Sequence, residues 1–183
     1  MHARVPAILA LAAGLVCLLS VRAVSQESAD APPAASEPAT MQDLSRRLHA
    51  IWTVLDRLHI AASDADFDAY FALYTPNAVF LGTDATERWT LDEFKAYTKT
   101  HFDDGNGWTY TSRNRFVNFA PVGRTAWFDE LLDNDKYGEC RGSGVLLYGN
   151  DGKWRIAQYN LTKTIPNDKM EAVVTAINAA PAQ

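Results

Sequence analysis

The chain has 183 residues, 48% of them hydrophobic and 21% charged, with a net charge of -5 at neutral pH. That length suits one domain with a real core, and the acidic balance, with no basic run longer than Arg46-Arg47, argues against an electrostatic nucleic-acid footprint. Gly-rich phosphate loops, a Ser nucleophile elbow, Cys-His pairings and zinc-spaced histidines do not occur in the sequence, so neither a cofactor nor a metal is expected.

The first segment reads as an address. Met1 to Arg4 carries positive charge, Ala7 to Leu19 is apolar, and Val21-Arg22-Ala23 or Ala23-Val24-Ser25 offers small residues for cleavage. Residues 1–25 are therefore expected to be a signal peptide, and the protein exported to the periplasm or secreted. An uncleaved anchor is the competing reading. The apolar run falls short of the about 20 residues a spanning helix needs, so no stable membrane insertion is expected after cleavage. Residues 26–43, rich in Ala, Pro and Ser, read as a disordered linker. Once the signal is removed, Cys140 is the remaining cysteine, so a disulfide within the monomer is excluded and a small buried hydrophobe is expected there.

Residues 44–167 are expected to form the domain, and 168–183 a short helical tail. Thr40 and Asp43 suggest a helix N-cap, and Leu44, Leu48, Ile51, Trp52, Leu55, Leu58 and Ala62 recur at helical spacing. Ser63 and Asp66 read as the next capping pair, before a helix whose aromatic face is Phe67, Tyr70, Phe71 and Tyr74, with Thr75-Pro76 ending it. Ala78 to Leu81 suggests a short buried strand. Thr90 and Glu93 form a capping box ahead of a third helix with the stripe Leu91, Phe94, Thr98, His101 and Phe102. His101 is expected to be a hydrogen-bonded core residue. Asp103 to Gly107 ends that helix, and Met170, Val173, Val174 and Ile177 mark a short C-terminal one.

Four segments of about ten residues follow the third helix: Trp108 to Phe119, Arg124 to Asp133, Tyr137 to Tyr148 and Lys153 to Lys163. Each is rich in β-branched and aromatic residues and bounded by turn formers, as antiparallel strands are. Gly149-Asn150-Asp151-Gly152 supplies the positive-φ positions of a hairpin turn. Strict alternation places Arg141, Ser143, Val145 and Leu147 on one face with Trp154, Ile156, Gln158, Asn160 and Thr162. That face is apolar near the turn and polar away from it, a gradient expected of a core grading into a pocket. Arg141 then meets Glu130 or, after a one-residue slip, Asp129. Glu130 is preferred because Ala126, Phe128 and Leu132 share its parity.

The element order, with Asp66-Phe67-Asp68-Ala69-Tyr70, Tyr74-Thr75-Pro76-Asn77-Ala78, Gly82-Thr83-Asp84, Trp89, Trp127-Phe128-Asp129-Glu130, Arg141-Gly142-Ser143-Gly144 and Gly152-Lys153-Trp154-Arg155-Ile156, resembles the SnoaL-like branch of the nuclear transport factor 2-like (NTF2-like) superfamily. The resemblance implies an α+β cone: three N-terminal helices packed in a strongly curved antiparallel sheet, with a pocket between helices and sheet and a homodimer through the convex face. That superfamily includes ketosteroid isomerases, polyketide cyclases, dehydratases and cavity-bearing proteins without activity, so fold does not choose among them.

Three functions stay open. One is binding of a small, largely apolar or aromatic molecule, with Arg141, Ser143, Gln158 and Asn160 as polar lining and Trp89, Trp108 and Tyr110 at the mouth. The second is an isomerase, cyclase or dehydratase in which Glu130 or Asp129 abstracts a proton beside a carbonyl and Arg141, Tyr110 or Asn160 steadies the oxyanion. The third is a non-catalytic envelope scaffold, with Tyr148, Tyr159 and Leu161 buried in an oligomer and the cone sealed.

Overall fold

A computed structural model describes residues 40–179; the expected signal peptide, most of the linker and the last four residues lie outside that range. The first helix, α1, runs Met41–Ser63 and starts inside the segment read as linker, because Thr40 caps it by accepting from the Asp43 backbone N–H at 3.2 Å. Its stripe of Ile51, Leu55, Leu58 and Ala62 is buried. Helix α2 is only Phe67–Phe71, capped by Asp66. Ser63 has no part in that cap; it ends α1, and its hydroxyl meets that of Thr109. Tyr74 is not helical either. It opens strand β1, Tyr74–Leu81, which is longer than expected and is followed by a short strand β2, Arg88–Thr90, that the sequence reading lacked. Helix α3, Leu91–Phe102, carries the expected Thr90–Glu93 capping box with both reciprocal bonds made.

The four long strands lie close to where turn chemistry predicts them: β3 Thr111–Phe119, β4 Thr125–Asn134, β5 Gly138–Tyr148 and β6 Trp154–Lys163. They form one curled sheet in the order β2-β1-β6-β5-β4-β3, antiparallel throughout except that β1 runs parallel to β6. After a 3-10 turn at Asn167–Lys169, helix α4, Met170–Ala179, leaves Val174 and Ile177 exposed. This is the α+β cone. The three helices fill its concave side, where Phe80 stacks on Phe94 at 3.9 Å between ring centroids and on Tyr159 at 5.7 Å. Among the described residues no helix is long and apolar enough to cross a membrane.

Two irregularities decide which side chains face inward. In the β5/β6 pair the register shifts between Val145↔Gln158 and Leu146↔Ile156, so Ala157 is an extra residue. Trp154 and Ile156 are buried, and beyond the bulge the inward positions become Tyr159 and Leu161 rather than Gln158 and Asn160. Glycines on β5 make room for this. A Cβ on Gly142 would strike the Tyr159 hydroxyl, and one on Gly144 would strike the Gln158 carbonyl. In the β3/β4 pair the shift lies between Arg113↔Leu131 and Phe116↔Asp129, with Asn114 at φ 50°. Two residues of β3 there, Asn114 and Arg115, stand against one of β4, Glu130, so both Ser112 and Arg115 turn inward on either side of the left-handed Asn114.

Candidate functional site

Glu130 lies where parity placed it, on the concave face of β4, and it is fully buried. Its neighbours are not those expected. Oε1 is 2.7 Å from Nε2 of His59 on α1; Oε2 accepts from the Ser112 hydroxyl at 2.5 Å and from Nε of Arg115 at 2.6 Å. Arg115 also donates through Nη1 to Oδ1 of Asp56 at 2.8 Å and to the Trp52 carbonyl at 3.3 Å, while Nη2 is buried with no protein partner. Burial by itself would raise the Glu130 carboxyl. The His59 hydrogen bond and charge, the Arg115 guanidinium and the Ser112 hydroxyl outweigh it and hold the group below the usual carboxylate range. Burial likewise opposes the charge of Arg115, yet Glu130 and Asp56 together raise its affinity for the proton. The result is an ionised carboxylate satisfied by three donors, which orients His59 rather than offering a free oxygen.

Beside this cluster lies a recess lined by His59, Leu58, Tyr70, Trp108, Tyr110 and Tyr159, with Ala62, Phe80 and Leu161 completing it. Its free volume is about 20 Å³, room for about one water molecule. The His59 side chain is 12% exposed and is the wall's link to the buried charges. Trp108 and Tyr110 come from the irregular stretch between α3 and β3. That stretch is held against α1 by the Trp108 backbone N–H donating to the Ala62 carbonyl at 3.0 Å, and Gly107 passes so close that a Cβ would run into the Ala62 and Ser63 carbonyls. Asn134 pins its far end by donating to the Thr109 carbonyl at 2.9 Å. Burial raises the Tyr110 phenol well above its ordinary range, as it does for Tyr70 and Tyr159, so these hydroxyls are protonated donors near neutral pH.

Of the residues expected in the site, Glu130, Trp108 and Tyr110 gather here. Trp89 does not line the recess; it stacks on Tyr97 at 4.6 Å and on Phe94 at 5.8 Å. The polar lining is corrected. Arg141, Ser143, Gln158 and Asn160 do share one face, through the pairs Arg141↔Thr162, Ser143↔Asn160 and Val145↔Gln158, but it is the convex one, and Arg141 and Gln158 are exposed there. Strict alternation fails at Ala157, which separates this face from Trp154 and Ile156. Arg141 therefore stands opposite Leu131 rather than against Glu130, and Asp129 lies opposite Ser143 on the same outer surface. By the same bulge, Tyr159 and Leu161 point into the cone and are not convex-face residues.

His59, Ser112, Arg115 and Asp56 were missed. His59 lies four residues from Leu55 and three from Ala62, at the border of the α1 stripe, a position that sequence spacing does reveal. Ser112 and Arg115 have opposite parity, so only the bulge unites them. Asp84 and Glu87 act locally. The Asp84 carboxylate accepts from the Thr86 backbone and hydroxyl, and that of Glu87 accepts from the Asp84 N–H.

The geometry has known counterparts. Residues 51–166 match the SnoaL-like domain family. The fold is similar to an NTF2-like protein of unknown function from Pseudomonas putida KT2440, at 13% identity and a TM-score of 0.57, over 69% of this chain and 92% of that one. It is similar to a domain of unknown function with a cystatin-like fold from Nostoc punctiforme, at 17% identity and a TM-score of 0.60, over 79% and 90% of the two chains. A third likeness is to a "Putative Scytalone Dehydratase" from Novosphingobium aromaticivorans, at 12% identity and a TM-score of 0.56, over 69% and 89%. None of the curated proteins matches the sequence. A family match over most of the folded region makes the chain a member of the SnoaL-like domain family, and its cone with this strand order is the NTF2-like fold.

Proposed function

We propose that this chain binds a small, largely apolar molecule in the cone recess, with His59 as the polar contact and the Gly107 to Tyr110 stretch as the part that yields. One observation carries the reading: a fully buried Glu130, held ionised by three donors, fixes the His59 ring in the wall of a recess otherwise lined by aromatic and aliphatic side chains. Removing charges from water is costly, and an apolar replacement would pack a sealed core as well. The recess now holds about 20 Å³, far below the about 300 Å³ of an ordinary small-molecule site. Occupancy therefore requires displacement of half-buried Trp108 and Tyr110, whose stretch of backbone is tied to the body by the Trp108 N–H to Ala62 and Asn134 to Thr109 bonds and by the packing of Trp108 on Phe102.

The test is a thermal-shift screen with steroid-like, polyketide-like and aromatic acid compounds. At a hundredfold excess over Kd, stabilisation of about 2.7 kcal/mol is expected, reduced at least tenfold in affinity by His59→Phe. A screen without stabilisation, in the parent and in Trp108→Ala, refutes it and leaves the sealed scaffold. Export through residues 1–25 and a homodimer through the convex face belong to the same proposal; exposed Phe116, Trp127 and Leu147 on that face support the dimer.

The 2.7 Å contact between His59 and Glu130 favours a second reading, proton transfer beside a carbonyl as in a dehydratase or isomerase. The base is then Nδ1 of the neutral His59 ring, whose Nε2–H is held by Glu130, and the protonated Tyr110 hydroxyl steadies the oxyanion. A carboxylate base fits less well, since the Glu130 oxygens are occupied and Asp129 lies on the convex face.

A further inference from the structure

A second cleft, of about 960 Å³, shares no lining residue with the cone recess. It lies between the N-terminal half of α1, the end of α2 and the β3–β4 and β5–β6 turns. On α1 its wall is a stripe beside the core stripe: Asp43, Arg47, Ala50, Val54 and Arg57 recur at steps of three and four. Six cationic side chains line it, Arg46, Arg47, Arg57, Arg124, Lys153 and Arg155, against one carboxylate, Asp43, in a chain of net charge -5.

Among the described residues, carboxylates neutralise only two of these cations: Arg46 pairs with Asp43 at 3.2 Å and Arg155 with Asp151 at 2.7 Å. Arg47 donates to the Gly123 carbonyl, and Arg124 to the Tyr148 carbonyl and the Asn150 amide oxygen, all neutral acceptors. Arg57 and Lys153 form no ion pair among the described residues. Gathering like charges around a concavity is unfavourable in itself, and it focuses positive potential on whatever enters. The lining also has an apolar part, the half-buried Val54 and Leu73 and the buried Trp154.

We propose that this cleft binds an oxyanion, phosphate or carboxylate, borne on an apolar body. Arg47, Arg57, Arg124 and Lys153 take the charge, with guanidinium forks suited to two-oxygen contacts, and Val54, Leu73 and Trp154 take the body. The oxyanion could belong to a free small molecule or to a lipid headgroup, and the two sources are separable.

The experiment is calorimetry on the full chain with 1-naphthyl phosphate, inorganic phosphate and 1-naphthol, together with sedimentation on phosphatidylglycerol-containing vesicles. Saturable binding of 1-naphthyl phosphate is expected, at least tenfold tighter than either fragment and weaker at 500 mM than at 50 mM NaCl. Arg57→Glu with Lys153→Glu should weaken it at least tenfold. Lys136→Glu with Lys163→Glu, the same charge change at the opposite end of the strands, should not. Vesicle binding with the same variant pattern makes the source a headgroup; 1-naphthyl phosphate binding without sedimentation makes it a free anion. The proposal is overturned if neither probe binds, if both variant pairs lose binding equally, or if 1-naphthol binds as tightly as its phosphate.

Discussion

Replacing Glu130 with Gln keeps the shape of the side chain and removes its charge. In the native cluster two oxygens accept from three donors, and the guanidinium facing them is only 10% exposed. The amide has one accepting oxygen, so its NH2 is turned against a donor, and Arg115 keeps only Asp56 as a carboxylate partner. Loss of one partner from a buried pair costs about 3–5 kcal/mol, and the surviving Asp56 contact sets the expectation at about 3 kcal/mol, or about 10 °C in Tm for a domain of this size. Urea and thermal unfolding followed by circular dichroism measure it. The pH dependence has a definite sign. The folded-state carboxyl is depressed below its ordinary 4.5, so its contribution is complete above that pH and is lost as pH falls through the folded value. The gap between parent and Glu130→Gln should therefore narrow below about pH 4.5. A double variant with Arg115→Gln should lose less than the sum of the single changes. A gap under about 1 kcal/mol at pH 7, or one that does not narrow below about pH 4.5, would refute the charged cluster.

Two further substitutions probe the backbone features behind the site. Asn114→Gly should leave stability nearly unchanged because φ is 50° there, whereas Asn114→Val should cost about 1–2 kcal/mol and detach Arg115 from Glu130; equal effects of the two in urea titrations would contradict the bulge assignment. Gly107→Ala has no space against the Ala62 and Ser63 carbonyls, so it should destabilise by about 1–3 kcal/mol and speed amide exchange at Trp108. Unchanged exchange would mean that this stretch is not held by its close approach to α1.

What the sequence determined by itself was local. Caps at Thr40, Asp66 and Thr90, apolar spacing in α1 and α3, and turn formers between the strands act within a few residues, so helices, strands and family resemblance were all readable from them. The burial of Glu130 followed from two-residue periodicity along β4, a strand that keeps its alternation. Strand β6 does not keep it, and the expected polar lining of Arg141, Gln158 and Asn160 went to the convex face when Ala157 took up the extra position. Parity carries information along a strand only until one residue is inserted, and whether a strand bulges depends on how the sheet curls around its helices. Only the tertiary structure could decide, therefore, that Asn114 turns both Ser112 and Arg115 onto Glu130, that α1 brings His59 from 71 residues away to complete the cluster, and that aromatic side chains nearly close the cone.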